Sequence, residues 1–151
     1  MTEPRAPVWT KLAALVSRRD LAWLAAGLLA AAITVLSLMP RPAQVLDVKL
    51  WDKFAHFLAY GALSLVVTHA LRRSGWQGAA MLGAAALGCS AFGGLMELLQ
   101  GYFPPRSPDT MDAVANTIGS FLGVGIFAAL SRGWAWVQSR RIQAEDEAPA
   151  G

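Results

Sequence analysis

The sequence contains few charged residues and only one cysteine. Charged side chains make up 15% of its 151 residues, against about a quarter in a typical soluble domain, while hydrophobic residues make up 55%. Cys89 alone can form neither an intrachain disulfide nor a cysteine-based zinc site. The net charge of +3 is spread in short basic clusters between apolar stretches, as in the loops of membrane proteins. We therefore expect a membrane protein with no nucleic-acid partner.

Four stretches contain no Asp, Glu, Lys or Arg. They are Leu21–Met39, Phe54–Leu71, Ser74–Met96 and Ala113–Ser131. Each is long enough to cross a bilayer core of ~30 Å, which takes about 20 helical residues, and none alternates strictly like a barrel strand. The sequence predicts an all-α membrane protein, a four-helix transmembrane bundle. A soluble bundle is the alternative, but too little polar sequence remains to cover four such helices.

The distribution of Lys and Arg predicts the orientation of the spans. Nine basic residues flank the spans on one side of the predicted membrane, and four flank them on the other side. The nine are Arg5, Lys11, Arg18, Arg19, Arg72, Arg73, Arg132, Arg140 and Arg141, and the four are Arg41, Lys49, Lys53 and Arg106. Because basic residues accumulate on the cytoplasmic side, we expect a multi-pass protein of the plasma (inner) membrane with both termini in the cytoplasm.

Three segments follow from this topology. Residues 1–20 form a cytoplasmic segment, in which Val8–Arg19 has the pattern of a basic helix on the membrane surface. Residues 21–137 form the transmembrane domain, and residues 138–151 form a disordered acidic tail. The first span could instead be a signal peptide, but its apolar run exceeds the usual ~7–15 residues and no small-residue cleavage site follows it.

Polar side chains enter the spans at one depth, near the predicted outer surface. They form three groups, each on one helix face because its members are three or four residues apart. The groups are Asp52 with His56 and Tyr60, Glu97 with Gln100, and Asp112 with Asn116. A charged side chain facing lipid costs several kcal/mol. We therefore expect the three faces to meet in one polar site.

The turn before the fourth span contributes two further candidates. Pro104 and Pro105 end the third helix, and Arg106 can reach Glu97 or an anionic ligand with its planar guanidinium group. Asp109 lies in the first turn of the fourth helix, where the helix dipole favours an anion. It is therefore either a helix-stabilising residue or a site residue.

Small residues predict where helices approach closely. Gly119 and Gly123 form a GxxxG pair in the fourth span, and the third span is rich in Gly, Ala and Ser. Such residues allow backbones of neighbouring helices to come together. We expect the third and fourth spans to form the tight centre of the bundle.

The spaced polar residues resemble the motifs of the VanZ-like family. The matching elements are Asp52-Lys53-x-x-His56-x-x-x-Tyr60, Glu97-x-x-Gln100, Arg106 and Asp112-x-x-x-Asn116-x-x-Gly119. The resemblance covers about residues 50–125. It implies a small bacterial integral membrane protein of the cell envelope, and one member of the family is linked to resistance against teicoplanin-type glycopeptides. It implies no settled activity and leaves the cofactor open.

The first functional hypothesis is binding or modification of an envelope lipid, a cell-wall precursor or a glycopeptide. His56 or Glu97 would act as general base, and Arg106 with Lys53 would hold a phosphate or carboxylate. These assignments make His56, Glu97 and Arg106 the candidate catalytic residues. The candidate binding residues are Asp52, Lys53, Tyr60, Gln100, Asp109, Asp112 and Asn116.

Three alternatives remain open at this point. The polar residues can form a purely structural network, with pairs such as Glu97–Arg106 and His56–Asp112, in a protein that binds a partner. A divalent ion on Asp52, His56, Glu97 and Asp112 is a variant of the first hypothesis, although the spacing matches no ion-binding loop and we predict no metal ligands. Transport is the third class. Four spans are few for a transporter, and the polar residues of the site do not continue to the inner side, where His69 is the only ionisable group near the end of the second span.

Overall fold

The computed structural model describes residues 17–39, 49–103 and 109–146. These residues form four helices and no strand. The helices are α1 (Arg18–Leu38), α2 (Lys49–Arg73), α3 (Gly78–Gln100) and α4 (Thr110–Asp146). All four are long and apolar enough to cross a membrane. The predicted fold class, an all-helical bundle of four candidate membrane spans, is confirmed.

Local hydrogen bonds explain where α1 and α4 begin. The Ser17 hydroxyl accepts a hydrogen bond from the backbone N–H of Asp20, and the Asp20 carboxylate accepts one from the backbone N–H of Ser17, both at 3.1 Å. This reciprocal pair is a capping box. At α4, the backbone N–H of Met111 donates to Oδ1 of Asp109 at 2.8 Å. Asp109 therefore satisfies a free N–H group in the first turn, the helix-stabilising role that the sequence allowed.

The tightest contact in the bundle joins α2 and α4, which pack together more extensively than any other pair of helices. A Cβ atom added to Gly119 would run into the backbone carbonyl of Phe57, and one added to Gly123 would run into that of Gly61. The GxxxG pair thus lets the two backbones meet. The prediction that the third and fourth spans form the tight centre is wrong. On α3, Gly83 and Gly88 face open space.

The bundle is apolar outside and partly polar inside. Large apolar side chains such as Leu24, Leu87 and Leu130 are exposed, as lipid-facing residues are. The described interior holds small apolar clusters, one around Ile33, Leu63 and Cys89. It also holds polar side chains, set out below. Because hydrocarbon offers polar groups no partner, they are placed between helices.

An apolar groove of about 290 Å³ lies between α1, α2 and α3. Its lining includes Gly27 from α1, Leu63 from α2, and Gly88 and Cys89 from α3. Nothing lies within 4 Å of the positions where Cβ atoms of Gly27 and Gly88 would be. The groove therefore exists because two helices present glycines where a larger side chain would fill the space.

The turn between α2 and α3 is tight and holds α1 in place. Gly75 and Gly78 have φ angles of +91° and +67°, a region that other residues rarely adopt. The indole N–H of Trp23 on α1 donates to the Ser74 hydroxyl in this turn at 2.9 Å. The hydrogen bond ties one end of α1 to the connection between its two neighbours.

The fourth helix is longer than the sequence suggested. It continues to Asp146, so residues 138–146 are helical, and the predicted disordered tail from residue 138 is wrong for these residues. The helix formers Gln, Ala, Glu and Arg dominate this stretch, and helical propensity prevails there over its polar character. The predicted surface helix before Ser17, the prolines at 104–105 and residues 147–151 lie outside the described residues.

Candidate functional site

A cluster of buried polar side chains lies at one end of α2, α3 and α4. His56 projects from α2, Glu97 from α3, and Asp112 and Asn116 from α4. Their exposed fractions are 7% for His56, 4% for Glu97, 6% for Asp112 and zero for Asn116. Each comes from a helix face that the sequence marked as polar. Folding brings the three faces together, as predicted.

Asn116 stands at the centre of the cluster and contacts both α2 and α3. Its Oδ1 lies 3.0 Å from Nδ1 of His56, and its Nδ2 donates to Oε1 of Glu97 across a longer 3.4 Å. The carboxylate can only accept, which assigns the amide nitrogen to Glu97 and the amide oxygen to His56. Nδ1 of His56 is then the donor. In the neutral ring, Nε2 is left with its lone pair.

Nε2 of His56 faces two carboxylates. Oδ1 of Asp52, one turn earlier on α2, lies 3.9 Å away, and Oδ2 of Asp112 on α4 also lies 3.9 Å away. The predicted approach of His56 and Asp112 is therefore present, but at a distance too long for a hydrogen bond. One ligand atom from each of the three residues lies within 4.8 Å of the other two. This is the part of the cluster that could hold a metal ion.

Lys53 crosses from α2 to α4 at the exposed edge of the cluster. Its ammonium group donates to Oδ2 of Asp109 at 2.8 Å and to Oδ1 of Asp112 at 3.0 Å. The Lys53 side chain is 31% exposed and that of Asp109 is 49% exposed. The cluster is therefore open to solvent on the side of Asp52, Lys53 and Asp109. Glu97 and Asn116 close the opposite, buried side.

Glu97 is held from two directions. Besides the contact from Asn116, its Oε2 accepts a hydrogen bond from the backbone N–H of Asp109 at 3.4 Å. Oε1 also lies 3.8 Å from Nδ1 of His56. Both carboxylate oxygens thus have partners within the protein, so His56 is better placed than Glu97 to meet a ligand at the open edge.

Two further buried polar groups have no hydrogen-bond partner among the described residues. They are the hydroxyl of Tyr60 and Nε2 of Gln100. Leaving such a group unpaired costs about 1–3 kcal/mol. A bound water or ligand group is the usual explanation for groups of this kind.

The structure brings seven of the ten predicted site residues into one set of contacts shorter than 4 Å. They are Asp52, Lys53, His56, Glu97, Asp109, Asp112 and Asn116. Tyr60 and Gln100 are also buried. Arg106, and with it the predicted Glu97–Arg106 pair, lies outside the described residues.

Sequence reasoning missed one residue that shapes the cluster. A Cβ atom on Gly93 would come within 2.8 Å of Cβ of Asn116 and 3.1 Å of the Tyr60 ring. Glycine at this position therefore makes the space that Asn116 and Tyr60 occupy. The sequence spacing could have indicated this role, because Gly93 lies four residues before Glu97 and so shares its helix face.

Comparison with known proteins gives a family. The model described as VanZ/LLP1 matches residues 9–131, which adds α1 to the region of the motif resemblance. No curated protein and no solved structure gives a significant match to the chain. A family model that covers well over half of the sequence, together with the four candidate spans, establishes the assignment: this multi-pass membrane protein belongs to the VanZ/LLP1 family.

Proposed function

We propose that the protein binds the polar head of an envelope lipid or lipid-linked cell-wall precursor at the cluster around His56. One observation carries this proposal: buried, hydrogen-bonded side chains close one side of the cluster, while the opposite side is charged and partly exposed. Asn116 fixes His56 and Glu97 from below, while Asp52 and Lys53 remain partly exposed above. An arrangement of this kind is preorganised for a ligand that enters from one side.

The charges of the cluster favour a head group rich in hydroxyl or amino groups. Among the described residues, the cluster holds four carboxylates and one ammonium group. They are Asp52, Glu97, Asp109 and Asp112, against Lys53. Carboxylate oxygens accept hydrogen bonds from donor groups and attract cations. Sugar hydroxyls and amines, which envelope precursors carry, match this requirement, and Lys53 can contact an adjoining phosphate.

The apolar groove supports a lipid rather than a soluble ligand. It is lined by Leu63 and Cys89, which also pack with Tyr60 in one buried cluster. Tyr60 in turn lies one helical turn after His56 on α2. Tyr60, whose hydroxyl lacks a partner within the described protein, thus links the residues that line the groove to the cluster. A lipid chain in the groove would place its head group toward His56.

Binding at this cluster also supplies one chemical capability. Nε2 of His56 carries a lone pair toward the open edge, with Nδ1 donating to Asn116. A histidine oriented in this way can accept a proton from a bound hydroxyl group. Modification of the bound head group is thus the reaction class that the geometry supports.

The distribution of basic residues supports a plasma-membrane location with cytoplasmic termini and the cluster near the outer leaflet. A precursor displayed on that side is also what a glycopeptide would meet. The proposed binding therefore provides a physical route to glycopeptide resistance. Expression in a glycopeptide-sensitive host, with and without Glu97→Gln, tests that route through the inhibitory concentration of teicoplanin.

The direct test is native mass spectrometry of the delipidated protein with a lipid-linked disaccharide-peptide precursor. Diacylglycerol, which lacks the polar head, serves as the comparison ligand. We expect Glu97→Gln and His56→Gln to weaken precursor binding about tenfold or more, because each removes a charged or orienting hydrogen-bond partner worth about 1.5–3 kcal/mol. Asp20→Asn, the same carboxylate-to-amide change far along the chain at the start of α1, should leave binding unchanged.

A structural network is the second candidate, and the hydrogen bonds of Asn116 favour it. It predicts that Glu97→Gln and His56→Gln lower the melting temperature and the yield together with any binding. Unchanged melting with lost precursor binding supports the binding site. Equal binding of precursor by wild type and both variants would reject the proposed binding site.

A further inference from the structure

We propose that a cavity at the turn between α2 and α3 binds the head group of an anionic phospholipid, with Arg72 as the residue that holds the phosphate. The cavity has a volume of about 320 Å³. It lies far from the polar cluster, because Arg72 is 16 residues after His56 on α2, about 24 Å at 1.5 Å per residue. The proposal is therefore independent of precursor binding at His56.

The cavity is lined by one cationic side chain and by no carboxylate of the described residues. Its lining consists of Arg72 at the end of α2, Trp76 and Gln77 in the turn, and Gly78 and Met81 at the start of α3. A guanidinium group can bind a phosphate through two parallel hydrogen bonds, and an amide group can donate further ones. This set of groups suits an anion.

The guanidinium group of Arg72 is exposed but held in position. Its Cζ lies 5.9 Å from the centroid of the Phe127 ring on α4, a cation–π contact. Among the described residues, no carboxylate lies within 4 Å of this guanidinium group. Because the aromatic ring covers one face of the planar group, the N–H donors at its edge stay available for a ligand.

Backbone hydrogen bonds fix the turn that forms one wall of the cavity. The N–H of Gly75 donates to the carbonyl of Arg72, and the N–H of Trp76 donates to the carbonyl of Leu71, both at 3.1 Å. The side chain of Gln77, the N-cap residue of α3, makes no capping hydrogen bond. The Gln77 amide is thus free to contact a ligand, in a cavity whose shape is set before the ligand arrives.

The charge of this end of the bundle favours a membrane lipid as the source of the phosphate. Residues 17–27, 69–81 and 124–144 contain one carboxylate and seven arginines. The carboxylate is Asp20, which accepts hydrogen bonds from Ser17, and the arginines are Arg18, Arg19, Arg72, Arg73, Arg132, Arg140 and Arg141. Basic clusters of this kind next to a membrane span attract anionic lipids, and basic pockets between spans bind their head groups.

Trp76 indicates the depth at which the cavity opens. Its side chain is half exposed, and exposed tryptophans of membrane proteins concentrate at the level of the lipid head groups. The cavity that Trp76 lines therefore faces the layer in which phospholipid phosphates are most abundant. A dissolved phosphate offers the same contacts to Arg72 but lacks this local concentration.

The test is native mass spectrometry of the delipidated full-length protein with phosphatidylglycerol. Phosphatidylcholine with the same acyl chains, which carries no net charge, is the comparison lipid. We expect wild type to bind phosphatidylglycerol about fivefold more tightly, the factor expected for one basic residue at a membrane surface. Inorganic phosphate, added as a competitor, tests the dissolved source and should leave the bound phosphatidylglycerol in place.

Arg72→Gln is the decisive variant and should reduce the preference for phosphatidylglycerol to less than about twofold. Arg73→Gln is the matched control, because it removes the same charge from the next exposed residue, which does not line the cavity. It should keep the preference of wild type. Arg72→Lys retains the charge and should keep a preference above about twofold, which separates loss of the cation from loss of the fold.

Equal binding of the two lipids by wild type would overturn the proposal. Equal losses in Arg72→Gln and Arg73→Gln would also overturn it, because the diffuse charge of this end would then attract the lipid without the cavity. Displacement of phosphatidylglycerol by inorganic phosphate would show that the site takes a dissolved anion, and the assignment to a lipid would be wrong. Precursor binding at His56 should not change in any of these variants.

Discussion

Two faces of this bundle carry glycines, and they behave differently. On the α2–α4 face, Gly119 and Gly123 meet the backbone carbonyls of Phe57 and Gly61. On the face between α1 and α3, Gly27 and Gly88 line an open groove. The polar cluster adjoins the first face, and the apolar groove occupies the second. Glycine therefore makes a tight contact in one place and an empty space in the other.

The difference teaches that glycine content alone does not locate the tight contact in a membrane bundle. In lipid, helices associate through close packing and hydrogen bonds rather than through burial of apolar area. The α2–α4 face has both, because Gly119 and Gly123 lie three and seven residues after Asn116 on α4. Among the described residues, the side chains that line the groove between α1 and α3 are apolar. The following predictions test that distinction.

The largest effect is expected from Gly119→Ala. The added methyl group meets the backbone of α2, which cannot move aside as a flexible side chain can. Overpacking of this kind costs about 1–3 kcal/mol, and we expect the upper end. Unfolding of the purified protein in mixed detergent–SDS micelles measures the change.

Gly125→Ala is the control on the same helix, since nothing lies within 4 Å of its added methyl group. It should be neutral or slightly stabilising because alanine favours the helix. Gly88→Ala makes the same comparison on the groove face. Destabilisation of Gly88→Ala as large as that of Gly119→Ala would remove the distinction between the faces.

A smaller effect is expected from Asn116→Ala. The change removes the partner of both His56 and Glu97 and leaves two buried polar groups unsatisfied. We expect a loss of about 2 kcal/mol in the free energy of unfolding, measured in the same micelles. Thr117→Ala, next in the chain, removes only a hydroxyl bonded to the backbone of its own helix. Equal losses in the two variants would contradict a central role for Asn116.

The smallest effect is expected on the groove side, from Trp23→Phe. It removes the hydrogen bond to Ser74 while keeping an aromatic ring. A single hydrogen bond of this kind contributes about 1 kcal/mol, and the loss should appear as earlier proteolysis or exchange of α1 rather than of α4. Trp76→Phe, half exposed in the same turn, should leave α1 unchanged.

Much of the architecture could be predicted from the sequence. Uncharged stretches of sufficient length gave the four spans, because the bilayer excludes charge and requires satisfied backbone groups. The polar faces of α2, α3 and α4 could be predicted to converge, because the spacing of His56, Glu97 and Asn116 placed each on one face at a similar depth. The cost of charge in hydrocarbon supplied the reason.

Three features could not be predicted, each for a physical reason. The choice of partner for α4 depended on where Gly119 and Gly123 point around the helix axis, which composition does not give. The central role of Asn116 depended on two distances that only the assembled helices define. The helical character of residues 138–146 depended on whether helical propensity outweighs solvation of the chain. In a charged sequence these two contributions are similar in size, so the outcome could not be predicted.

The length of α4 has a mechanical consequence. Its 37 residues extend about 55 Å at 1.5 Å per residue, whereas the hydrocarbon layer is only ~30 Å thick. A helix of this length that crosses the bilayer is about 25 Å longer than the hydrocarbon layer, so its C-terminal turns, which carry Arg140 and Arg141, lie outside that layer.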